Sequence, residues 1–425
     1  MENEKKKRAR KQKRSFSGKN IPLPQGKLRN YAVIWALFIL IIAGFAVANL
    51  VHKDQEVSVM ENRSLAQKPE LTWEGLGSGR YMQQYETWLS DQFVGRDFWV
   101  QLKTFADSAG GKKEENGVFH GKQGMLLEDI AVPEEKALQE NLDAMKTYQE
   151  QYSDLNMHVL LVPNAAEIQS DRLPAFAVTA DQSALLAQVQ EELGTGFDWI
   201  DAGSTLENHK DEEIYYHTDN HWTTLGAWYV FQDAAESLGI SSDSMISMEP
   251  CGVSRDFTGS LSSMSGYETG YKEPVYIYLP EGDAPQVVVN YVEEQKKTAS
   301  LYDSSMLEGR DKYGVFLGGN HPLIDIKTTA DSTRRLLIFK DSYANCFVQF
   351  LLPYYQNIII VDPRYYYDNV DSLIESYGIT DILFLYNVNT FVTDHSIADV
   401  LAADEETAGT EEAPETAQTE TEGTE

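Results

Sequence analysis

The chain has 425 residues, with 35 Lys and Arg against 66 Asp and Glu, for a formal net charge of -31. That is longer than one average domain, and so acidic a balance excludes a nucleic-acid binder, because phosphate recognition needs a basic face. With 42% apolar and 11% aromatic residues the chain can bury a sizeable core, and two cysteines, Cys251 and Cys346, are too few for a disulfide framework or a Cys-based zinc site.

The charge is unevenly placed. Residues 1–29 hold eleven Lys/Arg and two Glu, the last 25 residues hold nine acids and no base, and these ends cancel. Residues 52–400 therefore carry the whole excess, 24 bases against 55 acids. Between leader and body, Tyr31 to Val51 is a 21-residue run without a formal charge. At 1.5 Å per residue a helix of that length crosses roughly 30 Å of hydrocarbon. We read residues 30–51 as a transmembrane anchor, with the basic leader on the cytoplasmic side by the positive-inside rule. The rival is a cleaved signal peptide, since Ala46-Val47-Ala48 resembles a cleavage site, but the long leader and long apolar run favour the anchor.

Residues 52–120 are expected to be a membrane-proximal helical segment. Tyr81, Tyr85, Trp88, Leu89, Phe93, Phe98, Trp99 and Phe105 recur at helical spacing and read as a core stripe. From about residue 121 to 400, short apolar runs alternate with amphipathic helices. Strands are expected at 157–163, 198–201, 335–339, 357–361 and 381–386, and helices at 134–152, 180–193, 224–238, 343–355 and 370–377. Continuously apolar strands between helices predict an α/β fold, a parallel sheet covered on both faces, with function at the strands' carboxyl ends. Residues 250–330 read as a β-rich insertion with strands at 275–279, 287–292 and 313–317. Residues 401–425 lack aromatics and β-branched aliphatics, and are expected to be a disordered acidic tail.

Two stretches are dense in chemistry. In Tyr215-Tyr-His-Thr-Asp-Asn-His-Trp-Thr-Thr224, one residue separates Asp219 from His221, so a carboxylate can hold an imidazole in one tautomer while its other nitrogen faces a reacting proton. The alternative is that Asp219 and Thr223 cap the following helix and the histidines pack on Trp222. His217, Asp219 and His221 also alternate, which on an extended segment would suit a divalent metal. In Leu336-Leu-Ile-Phe-Lys-Asp-Ser-Tyr-Ala-Asn-Cys-Phe347 a buried strand runs into Asp341-Ser342 and then a helix, so Ser342 sits either beside oxyanion-stabilising N–H groups or merely at an N-cap. Cys346 reads as core, and no G-x-S-x-G elbow is present.

Asp219-Asn-His-Trp222, Val162-Pro-Asn164 with Leu173-Pro174, Phe316-Leu-Gly-Gly-Asn-His-Pro322, Lys340-Asp-Ser-Tyr-Ala-Asn345 and Val361-Asp-Pro-Arg-Tyr-Tyr366 together resemble the SGNH-hydrolase-like family of the alginate-acetylation proteins. The resemblance is closer to the membrane-anchored proteins named for an Asp-His-His-Trp motif, the DHHW family. It implies Asp219, His221 and Ser342 as orienter, general base and nucleophile, without a cofactor. Two departures stand out: Lys340 replaces the glycine before Asp-Ser, placing a cation near the nucleophile, and the Gly-x-Asn-Asp block is missing, which leaves Asn389, then Asn387, as oxyanion candidates. Asn320, His321, Lys340, Arg364 and Trp222 are candidates for substrate binding.

The expected function is an extracytoplasmic serine-dependent O-acyltransferase or esterase, acting on acetyl groups of a cell-envelope glycan, with a multi-spanning membrane acyltransferase as partner. The alternatives are a non-catalytic glycan-binding scaffold and, third, a metal-dependent hydrolase at His217, Asp219 and His221.

Overall fold

The computed structural model describes residues 25–55, 57–58, 63–282 and 284–402. The body of the basic leader and nearly all of the acidic tail lie outside the described residues. The chain divides into a smaller N-terminal unit and a larger unit that begins in earnest at Asp97.

In the smaller unit, helix α1 (Gln25–Val51) contains Asn30–Val51, which is long and apolar enough to cross a membrane and has its side chains exposed. Helix α2 (Arg80–Asp91) stacks Tyr81, Tyr85 and Trp88, with ring centroids 5.9 and 5.2 Å apart, and the Trp88 indole N–H donates to Asp54 Oδ2 at 2.9 Å. In helix α3 (Arg96–Ala109), which from Asp97 on belongs to the larger unit, the aromatic spacing does not mark a core: Phe98 and Phe105 are 60% and 72% exposed. Helical periodicity gives a face its composition, and only packing partners bury it.

After α3 the larger unit continues with a small antiparallel sheet of β1 (Glu114–Glu115), β2 (Val118–His120) and β3 (Leu126–Glu128). Its main sheet is built from β4 (Asn156–Val162), β5 (Asp198–Trp199), β8 (Val287–Tyr291), β9 (Lys296–Thr298), β10 (Leu323–Thr328), β11 (Arg335–Lys340), β12 (Asn357–Val361) and β13 (Asp381–Asn387), in the order β9-β8-β10-β12-β11-β13-β4-β5. From β12 to β5 every pair is parallel, with Phe339 opposite both Val361 and Phe384. A separate antiparallel ladder pairs β6 (Met248–Phe257) with β7 (Glu273–Pro280).

The parallel strands are buried on both faces because their side chains alternate between two cores. Leu160, Leu336, Ile338, Ile358, Ile360 and Leu383 meet helix α6 (Thr224–Ala234) through Ala227, Val230 and Phe231. Val159, Leu161, Leu337, Phe339, Ile359 and Phe384 meet α4 (Glu135–Gln151), α5 (Gln182–Leu193), α7 (Asp371–Tyr377) and α8 (Val388–Thr393). This is the expected SGNH-like α/β arrangement. It differs from the expectation at one edge: β10 pairs antiparallel with β12, β8 with β10 and β9 with β8, so much of 287–328 extends the sheet instead of forming a separate insertion. Residues 313–317 are not a strand, because Lys312–Val315 is a 3₁₀ turn that carries Tyr313 into the site.

Candidate active site

At the carboxyl end of β11 the chain leaves the sheet through Asp341 and turns into a 3₁₀ helix, Ser342–Cys346. Buried Asp341 accepts from the N–H of Tyr343 at 2.9 Å and of Asn387 at 3.0 Å, which ties this turn to the end of β13. Ser342 is the first residue of the turn, where an N–H has no helical acceptor.

The loop before α6 supplies the other two groups. It is pinned by Tyr215 Oη donating to the Pro163 carbonyl (2.7 Å), by Tyr216 N–H to the His221 carbonyl (3.2 Å), and by the fully buried Trp222, whose indole N–H donates to the Tyr343 carbonyl at 2.9 Å. Thr223 caps α6, accepting from Gly226 N at 3.3 Å. Asp219 does not cap: Oδ1 pairs with His221 Nδ1 and accepts His221 N–H at 3.1 Å, while Oδ2 accepts Ser260 N–H at 2.7 Å. His221 Nε2 then lies 2.8 Å from Ser342 Oγ. The His221 ring stacks on Tyr313 at 3.9 Å, and Tyr313 Oη donates to the Ser342 carbonyl at 3.1 Å.

Burial by itself would raise the Asp219 carboxyl, but His221 and the N–H groups of Ser260 and His221 outweigh it and hold Asp219 below the ordinary carboxylate range. A charged Asp219 fixes the imidazole with its proton on Nδ1, leaving Nε2 to accept from serine. The close approach of the 259–260 backbone needs Gly259, where a Cβ would fall 2.2 Å from Asp219 Cβ.

The space beside Ser342 is a cavity of about 260 Å³ lined by His221, Ser260, Arg310, Tyr313, Asn320 and Asn345, among others. The predicted Asp219, His221 and Ser342 are brought together, and Asn320 lines the same cavity. Several other predicted residues stand elsewhere. Trp222 is fully buried against Phe347 and has no surface to offer a ligand. His321 faces away, bonding Glu294 at 2.7 Å and the Leu317 carbonyl at 3.1 Å, and so secures the Gly318-Gly319 turn.

Lys340 is fully buried. Its ammonium donates to Asp362 Oδ2 (3.2 Å) and Asn320 Oδ1 (2.8 Å). Arg364 forks the same Asp362 at 2.8 and 2.7 Å and lines a different cavity. Burial pulls the Lys340 ammonium below its ordinary value; Asp362 is held below its own because Arg364 and Lys340 outweigh the effect of burial. Neither cation is offered to the serine cavity.

The side-chain amides of Asn389 and Asn387 are engaged with other backbone groups, and neither residue lines the serine cavity. Asn389 Nδ2 donates to the Asp129 carbonyl (2.8 Å) and Oδ1 accepts from Ala131 N–H (2.9 Å), while Asn387 Nδ2 donates to the Val162 carbonyl (3.3 Å) and Oδ1 caps α8. Asn320 is the better-placed amide. Its Oδ1 takes hydrogen bonds from Lys340 and from Asn345 Nδ2 (3.2 Å), and an ammonium can only donate, so the orientation is set and Nδ2 is left over. The metal reading also fails on geometry. His217 turns to Glu213 (3.0 Å) and stacks on Tyr271 in another cavity, and no three His, Cys, Asp or Glu side chains converge among the described residues.

Two further carboxyls escaped the sequence reading. Glu273 accepts from His217 N (2.6 Å), Thr218 N (2.9 Å) and Thr218 Oγ1 (2.7 Å), bracing the Asp219 loop from β7. Glu128, at the end of β3, accepts from Asn164 Nδ2 at 3.0 Å and is pushed up to about 7 by burial. The folded chain thus holds this proton more tightly than the unfolded chain does. Its contribution to stability is full below the ordinary value near 4.5 and is lost as the pH climbs to about 7. Glu128→Gln should therefore gain on the parent between pH 5 and pH 8, by on the order of 2 kcal/mol in denaturant unfolding; a pH-independent difference would contradict this.

The fold is SGNH-hydrolase-like, and it carries a Ser-His-Asp constellation at the carboxyl end of a parallel sheet. The family model described as DHHW protein matches residues 157–361. Three solved structures share the fold. A DHHW family protein from Eubacterium siraeum is 22% identical, with a TM-score of 0.56, covering 67% of this chain and 95% of that one. Bacillus cereus PatB1 is 19% identical, with a TM-score of 0.55, covering 66% and 98%. PatB1 with a sulfonyl adduct is 19% identical, with a TM-score of 0.52, covering 64% and 95%. No curated protein matches the chain at significance.

Proposed function

We propose that the chain is a membrane-anchored, extracytoplasmic serine-dependent O-acyltransferase or esterase acting on O-acyl groups, acetyl foremost, of a cell-envelope glycan. The observation that carries this reading is the relay Asp219–His221–Ser342, with the nucleophile opening into a cavity large enough for an acyl group and part of a sugar. Ser342 Oγ attacks the acyl carbonyl while His221 Nε2 takes the hydroxyl proton and Asp219 stabilises the resulting imidazolium. The Ser342 N–H and Asn320 Nδ2 receive the oxyanion. Collapse breaks the ester bond, and His221 returns the proton to the departing alcohol. A sugar hydroxyl or water then gives up a proton to His221, attacks the acyl-serine carbonyl and releases Ser342.

Helix α1 supports anchorage, and the basic leader supports a cytoplasmic N-terminus with the larger unit outside. The resemblance to acetylation systems favours transfer over hydrolysis and an acyl supply from a multi-spanning membrane acyltransferase. The scaffold alternative draws on Lys340 and on the missing Gly-x-Asn-Asp block; the bonds of Lys340 to Asp362 and Asn320 weaken the first, and the second still stands for it.

The test is to incubate the full chain with an activated acetyl ester, and separately with an aryl sulfonyl fluoride, and to map adducts by mass spectrometry. The sulfonyl reagent is chosen because PatB1 has been solved with a sulfonyl adduct. Both adducts are expected on Ser342, and finding neither would sink the proposal.

A further inference from the structure

With Lys340 and Arg364 both committed to Asp362, the serine cavity would be expected to hold no available cation. It holds one. Arg310, in the loop between β9 and β10, lines the cavity and is only partly exposed, and its guanidinium makes no ion pair or hydrogen bond among the described residues. Asp97 and Glu268 act on it only through the field, and burial outweighs them, drawing the guanidinium below its ordinary value. Of the acids lining the cavity, Asp219 is paired with His221, and Asp311 has a partner of its own. Guanidinium cannot shed its proton under ordinary conditions, so placing it here unpaired is unfavourable unless a ligand completes it. A second group in the same cavity is also incomplete. Asn345 is 2% exposed; its Nδ2 is used, but its Oδ1 has no partner among the described residues.

We propose that Arg310 sets the substrate class of this cleft by receiving an anionic group, a carboxylate or a phosphate, on the glycan, with Asn345 Oδ1 accepting from a neighbouring sugar hydroxyl. The assignment rests on the proposed function in that the ligand is taken to be the acyl-group acceptor. The body as a whole is acidic, with 24 bases against 55 acids over residues 52–400, and its diffuse field opposes an anion. A guanidinium fork inside a walled cleft outweighs a diffuse surface field that salt screens over about 10 Å.

The test measures binding to the full chain in detergent by calorimetry, which needs no turnover. The probes are trigalacturonate, its trimethyl ester and a glycerol-phosphate trimer. At least one of the two anions should bind about 10- to 100-fold more tightly than the neutral ester, and whichever does so identifies carboxylate or phosphate as the group received. Arg310→Gln should abolish that preference, and Arg310→Lys should keep part of it, with unfolding midpoints checking that each variant folds. No preference in the parent, no binding of any probe, or a preference that survives in Arg310→Gln would overturn the proposal. If the anion preference holds but Ser342 takes no acyl or sulfonyl adduct, the cleft binds anionic glycan and the catalytic reading fails alone. If Ser342 is acylated and the preference is absent, Arg310 fails alone.

Discussion

Asp219→Asn is expected to lower turnover of an activated acetyl ester by about 10³- to 10⁴-fold while leaving the chain folded, the size of loss seen when a triad carboxylate becomes an amide. The side chain keeps its volume, and its remaining oxygen can still accept the Ser260 N–H, so the loop should hold. What changes is the partner of His221 Nδ1. An amide nitrogen presented there favours the tautomer with Nδ1 bare and Nε2 protonated, which cannot take the Ser342 proton. Asn320→Ala should cost about 10²- to 10³-fold, the range for one oxyanion donor, whereas Asn389→Ala should leave the chemical step alone, since its amide is spent on Asp129 and Ala131. Steady-state rates of the three variants, with thermal unfolding as the control, check the set. A larger loss in Asn389→Ala than in Asn320→Ala would restore the original oxyanion candidate.

The second large effect is on stability. Asp362→Ala removes the carboxylate paired with Lys340, which is fully buried, and leaves both Lys340 and Arg364 without their shared partner. Breaking a buried ion pair from one side costs about 3–5 kcal/mol because an uncompensated charge stays inside. Adding Lys340→Met should recover much of that loss in denaturant unfolding, since it removes the stranded charge. It also takes away one of the two donors to Asn320 Oδ1, so the double variant, although more stable than Asp362→Ala, should still be catalytically poor. Equal stability of the single and double variants would show that the ammonium is not what makes Asp362 necessary.

How far the sequence could be read follows from the range of each interaction. The five parallel strands and their helices were legible because each is a local apolar pattern, as in Asn357-Ile-Ile-Ile-Val361. Asp219, His221 and Ser342 stood out because each lies in a chemically dense stretch next to an element boundary. What escaped depends on partners far along the chain. Lys340 looked like a free cation beside the nucleophile, yet its ammonium is taken by Asp362, 22 residues on. Asn389 sat in the right place after a strand, yet its amide is taken by Asp129, 260 residues away. Glu128, Glu273 and Arg310 lie in stretches with no motif around them, and only the fold shows what surrounds each one.

The main sheet closes at both margins with very short strands, two residues in β5 and three in β9, the latter carrying exposed Lys296 and Lys297. Neither margin therefore presents a long row of unpaired N–H and C=O groups on which the strand of another molecule could add, and the lysines make the β9 side repel its own copy. Proteins held at high local density beside one another are exposed to such strand addition. The sheet's blunted ends work against aggregation without any change to the site at its centre.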